Sequence, residues 1–186
     1  MNNYRISYRY ANALLELAIE QNMLEQVYHD IDMMCEVFRE SRDLRLLLKS
    51  PVISSEKKLG ILDTVFGKNI EVLTWKFIEI LVKKRRDDHL AGIMEAFIEI
   101  YRKSKNIHVV KVATAVPLDD YLRNRLLTVL KQETGAAEIV LNEKVDAKVI
   151  GGLVVKTEDR MFDNSIKKKV QSLRLEFSDE SYKVGF

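Results

Sequence analysis

The stretch from Val145 to Phe177 changes its apolar pattern part-way, and it constrains the fold more than any other part of the chain. Its first half contains β-branched and aliphatic runs typical of strands, Val149-Ile150 and Leu153 to Val155. Gly151-Gly152 separates the two runs. Paired glycines inside a strand pattern indicate a bulge or a close approach of two backbones.

The second half of this stretch has the pattern of a short strand followed by a helix. A polar turn leads to Met161-Phe162, which has strand character, and Asp163-Asn164-Ser165 offers three candidate N-caps. Apolar residues then recur at spacings of four, three and four, as on one face of a helix; they are Ile166, Val170, Leu173 and Phe177. The stretch therefore predicts a strand, a turn, a short return strand and a capped helix.

Composition limits the classes of protein that this chain can belong to. Of its 186 residues, 47% are hydrophobic and 31% are charged, which is enough apolar surface for a core. We find no apolar run of about eighteen residues, so no membrane span is expected, and the first ten residues lack a signal-peptide layout. The single Cys35 allows no internal disulfide, and a net charge of +2 gives no reason to expect nucleic acid.

Residues 1–105 have helical periodicity throughout and contain a single proline, Pro51. Short polar breaks divide this region, and helices joined by such short connections pack side by side as a bundle. The predicted helices lie near residues 5–20, 23–39, 42–49, 55–66, 70–85 and 89–105.

The first and fifth of these helices have unusually wide apolar faces. A projection of the first helix gives an apolar arc of about 240°, whereas a one-sided surface helix needs ~100°. Its stripes comprise Ile6, Tyr10, Ala13, Leu14 and Leu17, and Ala11, Leu15, Ala18 and Ile19. The fifth helix repeats the pattern with Leu73, Phe77, Ile80 and Leu81, flanked by Trp75, Ile78 and Val82. Either both helices are central and wrapped by the others, or one side packs in the core and the other binds a partner helix.

After Asn106 the pattern becomes mixed. A strand at 109–116, a helix that begins after Pro117 and ends at Gly135, and a strand at 138–142 precede the stretch described first. We therefore predict an α+β protein, with an N-terminal six-helix bundle at 1–105 and a small α/β C-terminal domain at 106–186.

We find no constellation of residues that predicts catalysis, a cofactor or a metal. The three histidines lie in different predicted elements, without metal-ligand spacing. Two basic clusters remain, Lys83 to Arg86 and Lys167-Lys168-Lys169. The second cluster lies in the first turns of a helix, where cations are unfavourable. It is either a solvated face or a surface for an acidic partner.

The stretch described first resembles the C-terminal signature of the ATP synthase delta subunit, the bacterial counterpart of the oligomycin-sensitivity-conferring protein. Its matching residues include Val145, Asp146, Ile150, Gly151, Gly152, Leu153, Val155, Lys156, Asp159, Phe162, Asp163, Ser165, Ile166 and Lys167. The resemblance continues in Tyr10, Ala11, Ala13 and Leu14 of the first helix and in Val110 to Leu118. Glu158 departs from the pattern, because it replaces the usual turn glycine.

This resemblance implies a non-catalytic stator subunit of the F-type ATP synthase. Such a subunit links the catalytic head to the peripheral stalk b subunits and resists rotor torque, so that proton translocation and ATP synthesis stay coupled. It lies on the cytoplasmic face of the cell inner membrane as a peripheral protein. It needs no cofactor or metal, binds no nucleic acid, does not insert in the membrane and does not work as a homo-oligomer.

The resemblance also implies where the partners bind. The helical domain of the family binds an N-terminal helix of the alpha subunit between its first and fifth helices, and the C-terminal domain meets the stalk. The candidate groove residues are Tyr10, Ala13, Leu14, Leu17, Phe77, Ile80 and Leu81. Lys167, Lys168 and Lys169 are the stalk candidates. A helical adaptor for an unrelated partner, or an enzyme with an unrecognised site, are the alternatives.

Overall fold

The computed structural model describes residues 2–157 and 160–180 and confirms the predicted α+β class. Its chain divides into two compact units, Met1–Ser104 and Lys105–Phe186. The described part of the first unit is helical, whereas the second carries the sheet. No helix in the described ranges is long and apolar enough to cross a membrane.

The helices of the first unit begin and end close to the predicted positions. They are α1 (Asn2–Glu20), α2 (Leu24–Glu40), α3 (Arg42–Lys49), α4 (Ser55–Phe66), α5 (Val72–Lys83) and α6 (Leu90–Ser104). Serine side chains start two of them: the Leu44 N–H donates to Ser41 Oγ at 3.2 Å, and the Lys57 N–H donates to Ser54 Oγ at 3.5 Å. A 3₁₀ turn at Asp87–His89 leads into α6.

Helix α1 packs closely against α6 because small residues line its buried face. That face consists of Ser7, Ala11, Leu14, Leu15 and Ala18, all buried. A Cβ atom added to Gly92 of α6 would lie 3.0 Å from Ser7 Oγ, so the two backbones approach at that level. The core side of α1 is therefore the side that carries the small residues Ser7, Ala11 and Ala18, spaced four and seven positions apart.

A buried ion pair connects α3, α4 and the 3₁₀ turn. The ammonium of Lys58 pairs with the carboxylate of Asp87, and it also donates to the Leu48 carbonyl oxygen at 2.7 Å. Both charged side chains are nearly buried, at 7% and 10% exposure. Asp87 thus has a pairing role in addition to its place at the start of a helix.

The described residues of the second unit form a four-stranded mixed sheet with two α-helices. Its elements are β1 (Ile107–Thr114), α7 (Asp120–Thr134), β2 (Glu138–Val145), β3 (Leu153–Lys156), β4 (Met161–Asp163) and α8 (Ile166–Glu180). The strand order is β2-β1-β3-β4, with β1 and β2 parallel and the other neighbours antiparallel.

Helix α7 covers one face of this sheet. The core there comprises Val110, Val112, Leu130, Ala136, Ile139 and Val155, with Leu118, Leu126, Leu127, Leu141 and Leu153 packed against it. The Leu122 N–H donates to Asp119 Oδ1 at 2.7 Å at the start of α7. Gly135 ends the helix at φ +64°, as predicted from its position.

The paired glycines allow β3 to approach the start of α8. A Cβ atom on Gly152 would lie 2.3 Å from the Asn164 carbonyl oxygen, and one on Gly151 would lie 2.6 Å from Ile166 Cδ1. This is the close backbone approach that the sequence indicates. The prediction that Val149-Ile150 is a strand is wrong, because Val149 ends a 3₁₀ turn and Ile150 has φ +67°. Asp159 and Glu158 lie outside the described residues.

Candidate partner-binding surfaces

Helices α1 and α5 each leave one apolar stripe on the outside of the helical unit. Leu17 on α1 is 42% exposed and Ile80 on α5 is 49% exposed. We call the two stripes together the α1/α5 surface, which consists of Tyr10, Ala13, Leu17, Leu73, Phe77 and Ile80, all exposed or half-buried. Proteins that bind no partner seldom expose an apolar surface that extends over two helices.

An aromatic contact joins the two stripes. The rings of Tyr10 and Phe77 meet edge to face, with centroids 6.5 Å apart and an interplanar angle of 63°. The guanidinium carbons of Arg86 and Arg9 lie 5.4 Å and 5.7 Å from the Tyr10 ring centroid. Cations over an aromatic face are attracted by its quadrupole, so Tyr10 is held between Phe77 and two arginines.

Two of the predicted groove residues lie in the core instead. Leu14 and Leu81 are each 0% exposed, so neither side chain has surface for a partner. The prediction that they line the groove is wrong, because these two leucines turn towards the inside of the unit. Tyr10, Ala13, Leu17, Phe77 and Ile80 lie outside the core and remain candidates.

A buried carboxylate fixes where α5 begins. Asp30 on α2 is 5% exposed and accepts from the Glu71 N–H at 2.8 Å and from Thr74 Oγ1 at 2.7 Å. Glu71 is the N-cap residue of α5, but its own side chain makes no capping hydrogen bond. A carboxylate from another helix therefore satisfies a donor at the N-terminus of α5 and holds the negative charge that the helix dipole favours there.

The family-signature residues of the second unit build the start of α8. The Lys168 N–H donates to Ser165 Oγ at 3.2 Å, and the Ser165 N–H donates to Asp163 Oδ1 at 2.9 Å. These two hydrogen bonds identify Ser165, 3% exposed, as the N-cap among the three candidates. The hydroxyl and the N–H of Ser165 lower the pKa of the Asp163 carboxyl.

Helix α8 exposes both its apolar and its basic side chains. Lys167, Lys168 and Lys169 are exposed in its first turns. We define the α8 stripe as Ile166, Val170, Leu173 and Phe177, which are 46%, 42%, 51% and 71% exposed. Ile150 of the signature is also 66% exposed. Apolar side chains in one row that no described part of the chain covers indicate a binding face.

Sequence reasoning missed the position of Arg86 at the α1/α5 surface. The sequence pattern indicates only that the basic residues from Lys83 to Arg86 end a helix, whereas the structure places the Arg86 guanidinium over the Tyr10 ring. No group of three or more potential metal-ligating side chains occurs among the residues that the structure describes.

Comparison with known proteins identifies the family. The family model of the ATP synthase delta (OSCP) subunit matches residues 6–177 of this chain. The chain belongs to the ATP synthase delta (OSCP) family. It is similar to the delta subunit of Salinibacter ruber, with 35% identity over 173 residues, 93% of this chain and 90% of that protein. Identity to the delta subunit of Desulforudis audaxviator is 33% over 180 residues, 97% of both chains.

A solved structure has the same fold. A chain of the Toxoplasma gondii mitochondrial ATP synthase hexamer matches with a TM-score of 0.72 and 24% identity, covering 92% of this chain and 96% of that chain. The predicted family is therefore confirmed. Delta (OSCP) proteins are non-catalytic components of the peripheral stalk, so the predictions of a stator subunit and of no enzymatic role are also confirmed.

Proposed function

We propose that this delta-family chain joins the catalytic head of the ATP synthase to the b subunits of the peripheral stalk, with one compact unit for each partner. The helical unit, which we take as a six-helix bundle at residues 1–105, binds the N-terminal helix of an alpha subunit. The α+β unit at 106–186 binds the stalk. The joint stops the head from turning with the rotor, on the cytoplasmic face of the inner membrane.

The α1/α5 surface is the observation that carries the first half of this proposal. A partner helix presents apolar residues every three or four positions, and the two exposed stripes provide a complementary apolar bed. Tyr10 and Phe77 touch each other and have little freedom to lose on binding. Resistance to torque needs tight binding, on the order of nanomolar or about −12 kcal/mol, and partly exposed aromatic and aliphatic anchors can supply much of it.

The test of the alpha-subunit site compares two isoleucines of equal exposure. Ile80 lies on the α1/α5 surface at 49% exposure, and Ile19 lies on another side of α1 at 51%. We expect Ile80→Asp to weaken binding of an alpha-subunit N-terminal peptide by about a hundredfold, because it places a carboxylate in an apolar interface. The matched control Ile19→Asp should bind as the native chain does. Calorimetric titration measures both affinities.

Ala13→Arg extends the test to α1, where an exposed small side chain lies on the same stripe. It should also abolish peptide binding, because a long charged side chain fills the space that the partner helix needs. Circular dichroism must report native helix content and melting for each variant. If Ile19→Asp loses as much affinity as Ile80→Asp, or if neither variant loses affinity, the alpha-subunit site lies elsewhere.

The α8 stripe supports the assignment of the stalk to the second unit. Its apolar row lies beside Lys167 and Lys169, and this mixture suits an amphipathic helix with acidic flanks. Leu173 on the stripe is 51% exposed, whereas Leu175, on the opposite side of α8, is 68% exposed. We expect Leu173→Asp to weaken binding to the soluble part of the b subunits about tenfold or more, and Leu175→Asp to leave it unchanged.

Replacement of Lys167, Lys168 and Lys169 by glutamine should weaken the same binding and reduce its salt dependence, because three cations leave the interface. Reconstitution provides the functional readout. Membranes stripped of this chain should lose ATP-driven proton pumping and regain it when the native chain is added. Recovery with Leu175→Asp but not with Leu173→Asp is the expected pattern.

A further inference from the structure

The second unit has another open surface, the face of its sheet that points away from α7. Residues of β1 alternate between the two faces, so Val110 and Val112 pack under α7 while Val109, Lys111 and Ala113 lie on the other side. The strand register places Val140, Asn142 and Lys144 of β2, and Val154 and Lys156 of β3, on this same side. We call it the lysine face.

The lysine face contains a like-charge pair in the middle of the sheet. Lys111 on β1 and Lys156 on β3 are directly opposite each other in the antiparallel pairing, and both are exposed. Like charges at such positions destabilise a sheet, whereas opposite charges stabilise it. Lys144 on β2 lies opposite Ala113, one row away on the same face. None of the three lysines has an ion-pair partner among the described side chains of residues 4–157 and 160–177.

The rest of the face consists mainly of apolar side chains that are half-buried or exposed. Val109, Ala113 and Val154 are half-buried, and Val140 at the edge is 39% exposed. Two carboxylates lie on its margins, Glu138 on β2 and Asp163 on β4. Asp163 is already bonded to Ser165. The described α8 side chains from Ile166 to Phe177 are all exposed, so none of them is buried against these apolar residues.

We propose that the lysine face is a second stalk-binding surface of this unit, and that its occupant is an acidic amphipathic helix whose carboxylates pair with Lys111, Lys144 and Lys156. A sheet with an apolar side normally buries that side under a helix, and α7 does so on one face alone. On the other face, the three lysines favour a helix that carries acidic side chains. This inference rests on the proposed function, since it takes the occupant from the b subunits.

A charge reversal separates binding from folding at this face. In Lys156→Glu the like-charge pair becomes an opposite-charge pair, so the melting temperature of the full chain should rise or stay constant. Affinity for the soluble part of the b subunits should nevertheless fall about tenfold or more, with a weaker salt dependence. Lys111→Glu should behave in the same way. The double variant should lose the gain in melting temperature and bind more weakly than either single variant.

Lys131→Glu is the matched control, because Lys131 is exposed on α7, which covers the opposite face. It should bind the b subunits as the native chain does. If the native chain binds and Lys156→Glu binds equally well, the inference is overturned while the proposed function stands. If the native chain itself does not bind the b subunits, both fail.

Amine acetylation tests whether the chain's own end occupies the face. Lys111 and Lys156 should react in the free full-length chain and become protected when the b subunits bind. If both are protected in the free chain and react only after residues 178–186 are deleted, the occupant is the chain's own C-terminal segment, and the inference is overturned.

Discussion

The carboxylate of Asp30 on α2 accepts a hydrogen bond from Thr74 Oγ1 on α5 at 2.7 Å, and both side chains are buried. The same carboxylate accepts the Glu71 N–H, so one side chain holds the first turn of a helix that forms half of the α1/α5 surface. The stability of the helical unit and the position of the α1/α5 surface therefore depend on the same contact.

We predict that Asp30→Ala lowers the free energy of unfolding by about 2–3 kcal/mol, because two buried donors lose a charged acceptor. Asp32→Ala on the same helix is the control and should change it by less than about 0.5 kcal/mol. Urea denaturation measures both values. Alpha-subunit peptide binding by Asp30→Ala should also weaken at temperatures where the variant is still folded. An unfolding free energy equal to that of the native chain would contradict this role.

Leu14 and Leu17 lie one turn apart on α1 but should respond oppositely to the same substitution. Leu14 is fully buried, so Leu14→Ala should cost about 2–5 kcal/mol of stability through the cavity it leaves. Leu17 is 42% exposed, so Leu17→Ala should cost less than about 1 kcal/mol and instead reduce peptide affinity. Thermal melts and calorimetric titrations of the two variants give the comparison. Equal stability losses would place Leu17 in the core.

Substitution by alanine at Gly152 and at Gly60 should change the stability in opposite directions. A Cβ atom on Gly152 would meet the Asn164 carbonyl oxygen at 2.3 Å, and the residue has φ +78°, so Gly152→Ala should cost roughly 2–4 kcal/mol. Gly60 lies inside α4 with nothing within 4 Å of an added Cβ, so Gly60→Ala should gain about 0.5–1 kcal/mol. Differential scanning calorimetry should show melting shifts of opposite sign. A stable Gly152→Ala variant would contradict the close approach of β3 to α8.

The thiol of Cys35 on α2 should react slowly while the chain is folded. It is 5% exposed, and burial raises its pKa from 9.0 to about 11. Because the folded chain holds this proton more tightly, the group's contribution to stability is present below about pH 9 and is lost as the pH rises through 11. At pH 8, iodoacetamide should modify the native chain about a hundredfold more slowly than the urea-unfolded chain. Equal rates would mean that the thiol is accessible.

Much of the helical unit could be predicted from the sequence because its signals are local. Each of these signals involves residues only a few positions apart, as in the N-caps Ser41 and Ser54 and in the spacing of apolar residues. Which side of α1 enters the core is not a local property, because it depends on α6 and on Gly92 in particular. The sequence therefore predicts the wrong side of α1 for Leu14, which is fully buried. The recurring small residues Ser7, Ala11 and Ala18 were the available signal.

The strand boundaries near the glycines failed for a different reason. Val149 and Ile150 are β-branched residues with high strand propensity, and propensity favours extended backbone there. The tertiary structure instead requires a turn, in which the Ile166 N–H donates to the Gly151 carbonyl oxygen at 2.9 Å. That hydrogen bond links residues fifteen positions apart and leaves Ile150 at φ +67°. An alternating sequence pattern with a period of two residues does not indicate such a long-range hydrogen bond.

The central place of β1 has a consequence for synthesis on the ribosome. Both of its neighbours, β2 and β3, follow it in the chain, and its last pairing, Lys111 with Lys156, spans 45 residues. The sheet therefore cannot close until nearly the whole chain has been made, whereas α1 to α6 are complete at Ser104. Non-local pairing of this kind is slow to form. We expect the helical unit to emerge first and to be ready for its partner while the sheet is still unpaired.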